Sequence, residues 1–190
     1  HALSNVEHGY GTPWGYAPLR ETIARLLNER TIHVNARQVL LTQGANHALD
    51  LIIRHLLDAG DRALVDSPGY YPLFGKLKLG KIGMLGVPRL SDGPDLDALQ
   101  ALAQKHKPKV FFTQSLAHNP TGGSISLPKA YRLLQLSTQY DFLIVEDDPF
   151  ADLLSASAPR LAALDQLNRV IYVSSFSKTL SAGLRVGYIA

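Results

Sequence analysis

The sequence predicts an α/β domain, a mostly parallel sheet covered by helices on both faces so that three layers result. Two patterns carry this reading. Short continuous apolar runs recur, among them Ala63-Leu-Val65, Val110-Phe-Phe112 and Phe142-Leu-Ile-Val145, and unbroken runs of this kind belong to strands buried on both faces. Between them lie stretches with apolar residues three and four apart, the spacing of amphipathic helices. At 190 residues, 46% of them hydrophobic, the chain is long enough for one substantial core. It shows no internal repeat, no low-complexity tract and no composition break that would mark a second domain.

Each element has a local reason. Residues 1–17 are rich in glycine and aromatic residues without periodicity and read as a structured loop. Pro18, suited to a first helical turn, opens a helix carrying Leu19, Ile23, Leu26 and Leu27. Residues 39–42 form a short strand, and Gln43-Gly-Ala-Asn-His47 turns into a helix over 48–57. A strand at 61–65 ends in Asp66-Ser-Pro-Gly-Tyr70, with a helical stretch after it. A strand at 82–87 and a helix at 95–106 follow, the helix carrying Leu96, Leu99 and Leu102 on one face. The strand at 110–113 runs into Ser115-Leu-Ala-His-Asn-Pro-Thr-Gly122, and a helix starting near Pro128 buries Leu133, Leu134 and Leu136. The strand at 142–145 ends in Glu146-Asp-Asp-Pro-Phe150, residues 154–168 read as loop, and strands at 170–173 and 185–190 complete the chain.

Composition narrows the function. No apolar run reaches membrane-spanning length and no basic-then-apolar leader is present, so we expect a cytoplasmic protein that does not enter a membrane. With no cysteine there is no disulfide framework and no thiolate metal site. The net charge of +3 is scattered, a weak case for nucleic acid. The abrupt start, and an end on an apolar strand, read as a piece of something longer.

Ligands of open α/β sheets bind beyond the carboxyl ends of the strands, and the unusual polar residues fall there repeatedly. Lys178 follows the strand at 170–173 within Ser174-Ser-Phe-Ser-Lys-Thr. It reads either as solvated surface or as an amine partly desolvated by the strand and so available as a nucleophile. Ser175, Ser177 and Arg185 offer hydroxyls and a forked cation that suit a phosphate. An amine beside a phosphate cradle is the pairing that pyridoxal phosphate requires. Gly44 is either a turn glycine or the opening of a helix whose first amides, Ala45 and Asn46, face an anion. Asn119 lies in an Asn-Pro turn, as a turn residue or as a donor to a phenolate oxygen. The acidic Glu146-Asp147-Asp148 could bind a divalent metal or supply a carboxylate to a pyridinium nitrogen, and no further ligand motif accompanies it. The seven histidines form no metal-binding spacing.

Taken in order, Tyr10-(x4)-Gly15, Gln43-Gly-Ala-Asn46, Asp66-Ser-Pro-Gly-Tyr70, His118-Asn-Pro-Thr-Gly122, Glu146-Asp-Asp-Pro-Phe150 and Ser174-Ser-Phe-Ser-Lys178-(x6)-Arg185 resemble the large domain of fold-type I pyridoxal phosphate enzymes, the class I/II aminotransferases. The resemblance spans essentially the whole chain. It implies that Lys178 is the Schiff-base lysine and the acid/base of the proton shift. It further implies that Asp147 holds the pyridine nitrogen, Asn119 the ring hydroxyl, and that Tyr70 stacks on the ring. The phosphate would lie among Ser175, Arg185 and the amides of Ala45 and Asn46. Tyr10 matches a tyrosine that reaches the partner's phosphate, so a homodimer is implied.

Two departures stand out. Phe150 occupies the place of a tyrosine that bonds the ring oxygen, and Ala45 that of a commoner serine. The family's small C-terminal domain, with its arginine for the substrate carboxylate, would lie outside residues 1–190, so this stretch alone is not expected to turn over. Asp66-Ser-Pro-Gly-Tyr-Tyr-Pro-Leu-Phe, Glu146-Asp-Asp-Pro-Phe-Ala-Asp-Leu and the lysine segment are most similar to the aminotransferase-like half of GntR/MocR-type transcription regulators. There a winged helix would precede His1 and make the DNA contacts. Two readings stay open: a regulator sensing an amine or amino acid, and a free-standing aminotransferase acting between an amino acid and a 2-oxo acid. A plain nucleotide-binding domain is disfavoured, because no glycine fingerprint is present.

Overall fold

The computed structural model describes residues 9, 11–150, 153 and 160–190. Helix α1 (Ala17–Glu29) precedes β1 (Leu40–Thr42), α2 (Ala45–Leu56), β2 (Arg62–Ser67), α3 (Tyr71–Leu79) and β3 (Gly83–Leu90). Then come β4 (Gly93–Pro94), α4 (Leu96–His106), β5 (Val110–Thr113), α5 (Leu127–Tyr140), β6 (Leu143–Asp147), α6 (Leu161–Asp165), β7 (Val170–Ser175) and β8 (Gly187–Ile189). The strands build one eight-stranded sheet in the order β1-β8-β7-β6-β5-β2-β3-β4. From β7 to β3 every neighbouring pair is parallel, while β8 and β4 run against their neighbours. The predicted α/β architecture with a mostly parallel sheet is the observed one.

Alternation along the strands sorts the apolar residues into two cores. Leu64, Phe111, Ile144 and Tyr172 face α1, α4, α5 and α6, with Ile23, Leu99, Leu133 and Leu161 packed among them. Val65, Val110, Phe112, Val145 and Val173 face α2 and α3, against Leu49, Ile52, Ile53 and Leu77. Each such fully buried side chain contributes about 1.5–3 kcal/mol of transfer free energy, so helices too short to persist alone are held by their apolar faces. α4 also has a side-chain cap, Asp95 Oδ1 accepting from the amides of Asp97 and Ala98 at 3.1 Å.

Several boundaries differ from the sequence reading. α2 begins at Ala45, directly after Gly44, because its polar first turn hides the start from a periodicity reading. β6 and β7 run two residues further than the apolar runs, to Asp147 and Ser175. Leu134 is half-buried, not core. The stretch read as loop at 154–168 contains α6, whose Leu161 and Ala162 are fully buried. Its first amides, Leu161 and Ala162, donate to the Glu146 carboxylate at 2.8 Å, a cap supplied from β6 that no local pattern displays.

β2 leads to β3 on one side, whereas β5, β6 and β7 are added on the other. The order therefore reverses between β2 and β5, and the carboxyl ends of these strands frame a crevice.

Candidate active site

A cavity of about 230 Å³ opens at that crevice, lined by Ala45, Asn46, Tyr70, Gln114, Asn119, Asp147, Pro149, Phe150, Ser175, Ser177, Lys178, Ala182 and Arg185. The structure thus gathers Lys178, Asp147, Asn119, Tyr70, Ala45, Asn46, Ser175, Arg185 and Phe150 into one place, from five separate turns and strand ends. Tyr10 lies outside the described residues. Gln114 was not singled out from the sequence, although it carries the same signal as the others: a polar residue immediately after a buried apolar strand.

One end of the cavity forms where β1 turns into α2. Gly44 adopts φ +78°, and a Cβ there would meet Arg185 Nη2 at 2.5 Å, so the missing side chain makes room for the guanidinium. Gly187 on β8 is equally constrained, since its Cβ would lie 2.5 Å from the Gly44 carbonyl carbon. The first helix amide to return to Gly44 is that of His47, which leaves the amides of Ala45 and Asn46 without intrahelical partners at the positive end of the helix. Arg185 Nη1 donates to Ser177 Oγ at 3.4 Å, and Ser175 is buried at the end of β7. Backbone amides, hydroxyls and a guanidinium converge on one spot, the donor set a phosphate takes.

The opposite end is acidic. Asp147 is 7% exposed, and its Oδ2 accepts from Gln114 Nε2 at 2.9 Å, whereas its Oδ1 has no hydrogen-bond partner among the described residues. Burial pushes its carboxyl up to about 7, against the lowering effect of Gln114 and with a further push from Asp148. A buried carboxylate oxygen without a donor is costly, and a protonated ring nitrogen would satisfy it. The Asn46 amide donates to Tyr70 Oη at 3.2 Å, so the tyrosine is held from below at the cavity wall.

Behind Asp147, the strand ends are locked by buried polar contacts. Asp148 accepts from Tyr172 Oη at 2.6 Å and Arg160 Nε at 2.8 Å, and its backbone carbonyl accepts from Ser174 Oγ. Glu146 accepts from Ser115 Oγ as well as from α6. Each acidic residue of the Glu146-Asp147-Asp148 run therefore points a different way. Among the described residues, no cluster of three metal-ligating side chains exists, and no helix is long and apolar enough to cross a membrane. His118 is buried with Nδ1 against Thr121 Oγ1 at 2.8 Å, and burial together with the nearby Arg89 charge lowers its pKa to about 4, so it is neutral.

Of the two readings of Lys178, the structure agrees with the exposed one. Burial along this segment ends at Ser175, and Lys178 is exposed on the open rim, so the strand does not desolvate it. Its Nζ lies 5.6 Å from the centre of the Phe150 ring, a cation–π contact across the mouth of the cavity.

Known proteins are similar to this chain over essentially its whole length. The family model described as aminotransferase class I and II matches residues 1–190. The 2-aminoadipate transaminase of Thermus thermophilus is 38% identical over 94% of this chain and 45% of its own length. An uncharacterized HTH-type transcriptional regulator of Bacillus subtilis, YcxD, is 34% identical over 94% of this chain and 40% of its own. The crystal structure of LysN, an alpha-aminoadipate aminotransferase from Thermus thermophilus complexed with N-(5'-phosphopyridoxyl)-L-leucine, superposes with a TM-score of 0.90 at 35% identity. It does so over 99% of this chain and 48% of that one. The chain thus spans about half the length of the relatives it matches.

Proposed function

Since this chain belongs to the class I and II aminotransferases and is a pyridoxal phosphate domain of that family, we propose that it is the effector-sensing half of a GntR/MocR-type transcription regulator, reading an amine or amino acid through Lys178. Pyridoxal phosphate supplies an aldehyde that condenses with amines and a ring that draws electrons from the bonds around the amine-bearing carbon. The chain's own residues would hold and steer that chemistry. The observation that carries the cofactor assignment is the partnerless, buried Oδ1 of Asp147 in the same cavity as the Lys178 amine.

In this reading Asp147 would hold the ring nitrogen and keep its proton, while the Asn119 side chain would donate to the ring oxygen. Tyr70 would lie against the ring face, and Ser175, Arg185 and the amides of Ala45 and Asn46 would hold the phosphate. Lys178, exposed at the rim, would present its amine to the cofactor's aldehyde and would be placed to hold or move a proton there. Tyr10 would come from a second copy of the chain, making the working unit a homodimer.

Phe150 favours sensing over turnover. A phenyl ring has no hydroxyl to donate to the ring oxygen, and amine exchange tolerates that loss better than rapid proton transfer does. Several relatives are HTH-type regulators, and a DNA-binding domain in the longer protein would make the contacts to DNA. A second reading, a free-standing aminotransferase exchanging amino groups between an amino acid and a 2-oxo acid, is favoured by the identity to the Thermus transaminase.

The deciding measurement is an absorbance spectrum of the full-length protein with pyridoxal phosphate, beside Lys178→Ala, through a panel of amino acids. A band near the visible edge that needs Lys178 is expected. A shift on adding an amino acid without release of a 2-oxo acid supports the sensor, whereas stoichiometric oxo acid release moves the assignment to the transaminase. Absence of any lysine-dependent band overturns the role given to Lys178.

A further inference from the structure

Gln114 stands between the two residues assigned above to opposite edges of the cofactor ring. Its Nε2 donates to Asp147 Oδ2 at 2.9 Å, and its Oε1 accepts the backbone amide of Asn119 at 2.8 Å. The second contact sets the orientation of the side chain, because a backbone N–H can only donate and must face the amide oxygen. The NH₂ group is thereby directed at Asp147. A donor at that point favours the ionised carboxylate, opposing what burial does to it.

The backbone of Gln114 is held as firmly as its side chain. Its amide donates to Asp66 Oδ2 at 3.2 Å, and its carbonyl accepts from Arg89 Nη2 at 2.8 Å. Asp66 and Arg89 are themselves paired at 3.1 Å with side chains 4% and 0% exposed, and Thr113 Oγ1 adds a bond to the same carboxylate oxygen at 2.8 Å. A buried ion pair on β2 and β3 thus clamps the end of β5, and the clamped residue braces β6 and the Asn119 turn.

We propose that Gln114 is a positioning residue for the cofactor: it fixes Asp147 with one oxygen turned to the ring nitrogen and ties that carboxylate to the Asn119 turn, so that both edges of the ring are set by one side chain. The inference rests on the reading of Asp147 and Asn119 as ring ligands. The charged and titratable groups around Asp147 are Asp148 on its own strand end, Lys178 and Arg185 across the larger cavity, Tyr70 on the wall of both cavities, and His118 and Asp66. The last two line a smaller cavity of about 20 Å³ that Asp147 also borders. Of these, none described donates to Asp147 Oδ2 as Gln114 does.

The test uses the full-length protein and pyridoxal phosphate itself, with affinity measured by absorbance titration across a range of pH. Gln114→Leu removes both bonds. Gln114→Glu keeps the acceptor for Asn119 and removes only the donor, leaving two carboxyls to share a proton. Both variants are expected to bind pyridoxal phosphate about tenfold or more weakly at neutral pH, the loss of a hydrogen bond to a charged group. In both, the pH midpoint of affinity should move upward by about one unit relative to the parent. A packing defect alone would weaken binding evenly and leave the midpoint in place. If the leucine variant does not fold, by circular dichroism and thermal unfolding, the isosteric glutamate variant carries the result. Asp147→Asn separates the two ideas. Should it bind pyridoxal phosphate like the parent, the ring-nitrogen assignment fails. Should it bind weakly while both Gln114 variants keep the parent's affinity and midpoint, the role of Gln114 alone is overturned.

Discussion

The guanidinium of Arg185 occupies the space in which a side chain on Gly44 would begin, with Nη2 2.5 Å from the position of a Cβ. The turn after β1 and the loop after β7 are remote in sequence, and this contact joins them into one candidate anion site. Gly44→Ala should therefore act twice. It strains a residue at φ +78°, costing about 1 kcal/mol or more, and it pushes Arg185 away from the helix start. We expect a lower urea midpoint together with weaker binding of inorganic phosphate. Arg185→Lys should show the second effect without the first, so equal phosphate affinity in both variants and the parent would remove Arg185 from the anion site.

The Asp148 network gives a graded expectation. Tyr172→Phe removes one neutral donor from a buried carboxylate and should cost about 1–3 kcal/mol. Arg160→Met removes the cation paired with it at 2.8 Å and should cost more, about 3–5 kcal/mol, because a buried carboxylate loses an ion-pair partner. Denaturant unfolding of the two variants checks the order. Reversal of that order would mean that Arg160 contributes packing rather than charge.

Residues whose chemistry is announced by position alone were legible in the sequence. Lys178, Asp147 and Ser175 follow apolar runs that could only be core strands, and Asn119 and Gly44 sit in turns beyond such runs, so the crevice could be assembled from strand ends without coordinates. What could not be read depends on partners far apart in the chain. α6 is too short for a periodicity signal, and its start is capped by Glu146 across 15 residues. Arg89 lies beyond the strand read at 82–87, and only the pairing of β2 with β3 shows its side chain fully buried against Asp66. Gln114 looks like an ordinary polar residue after a strand, and only the folded chain shows it spanning Asp147 and the Asn119 turn. Which of the two readings of Lys178 holds, exposed or desolvated, was not decidable from sequence, since it depends on how soon the chain leaves β7 for the rim.

Consecutive carboxyls at the end of β6 should leave a mark on the pH dependence of stability. Burial, with added repulsion from Asp148, pushes Glu146 up to about 7, and Asp147, despite its bond from Gln114, also lies at about 7. Their ordinary values are 4.5 and 3.8, so the folded chain binds protons more tightly than the unfolded one. The stability this contributes is fully present at acid pH below those ordinary values, and it is lost as pH rises through about 7. Between about pH 5 and 8 the cofactor-free protein should weaken steadily, and Glu146→Gln should flatten the decline. Pyridoxal phosphate should flatten it as well, by giving Asp147 a cationic partner that favours its ionised form. Urea midpoints at several pH values measure this, and an identical slope in the parent and Glu146→Gln would show that Glu146 does not titrate in that window.

Phe150 provides the most direct handle on how the site is tuned. Its ring lies beneath the Lys178 ammonium at 5.6 Å from centroid to Nζ, so a hydroxyl added by Phe150→Tyr would enter the same part of the cavity as the amine. A phenol that donates to the ring oxygen stabilises its anionic form, and this favours the deprotonated state of the nitrogen joined to the cofactor. The pH midpoint of the lysine-dependent absorbance band should fall by on the order of one unit, the value of one hydrogen bond to a charged group. The cation–π contact should persist, because a tyrosine ring serves as well as a phenylalanine, and overall stability should change little. An unchanged midpoint would mean that the hydroxyl does not reach the ring oxygen, and Phe150 would then act on Lys178 alone. A lower midpoint accompanied by faster oxo acid release from an amino acid would identify the missing hydroxyl as what holds this domain back from turnover.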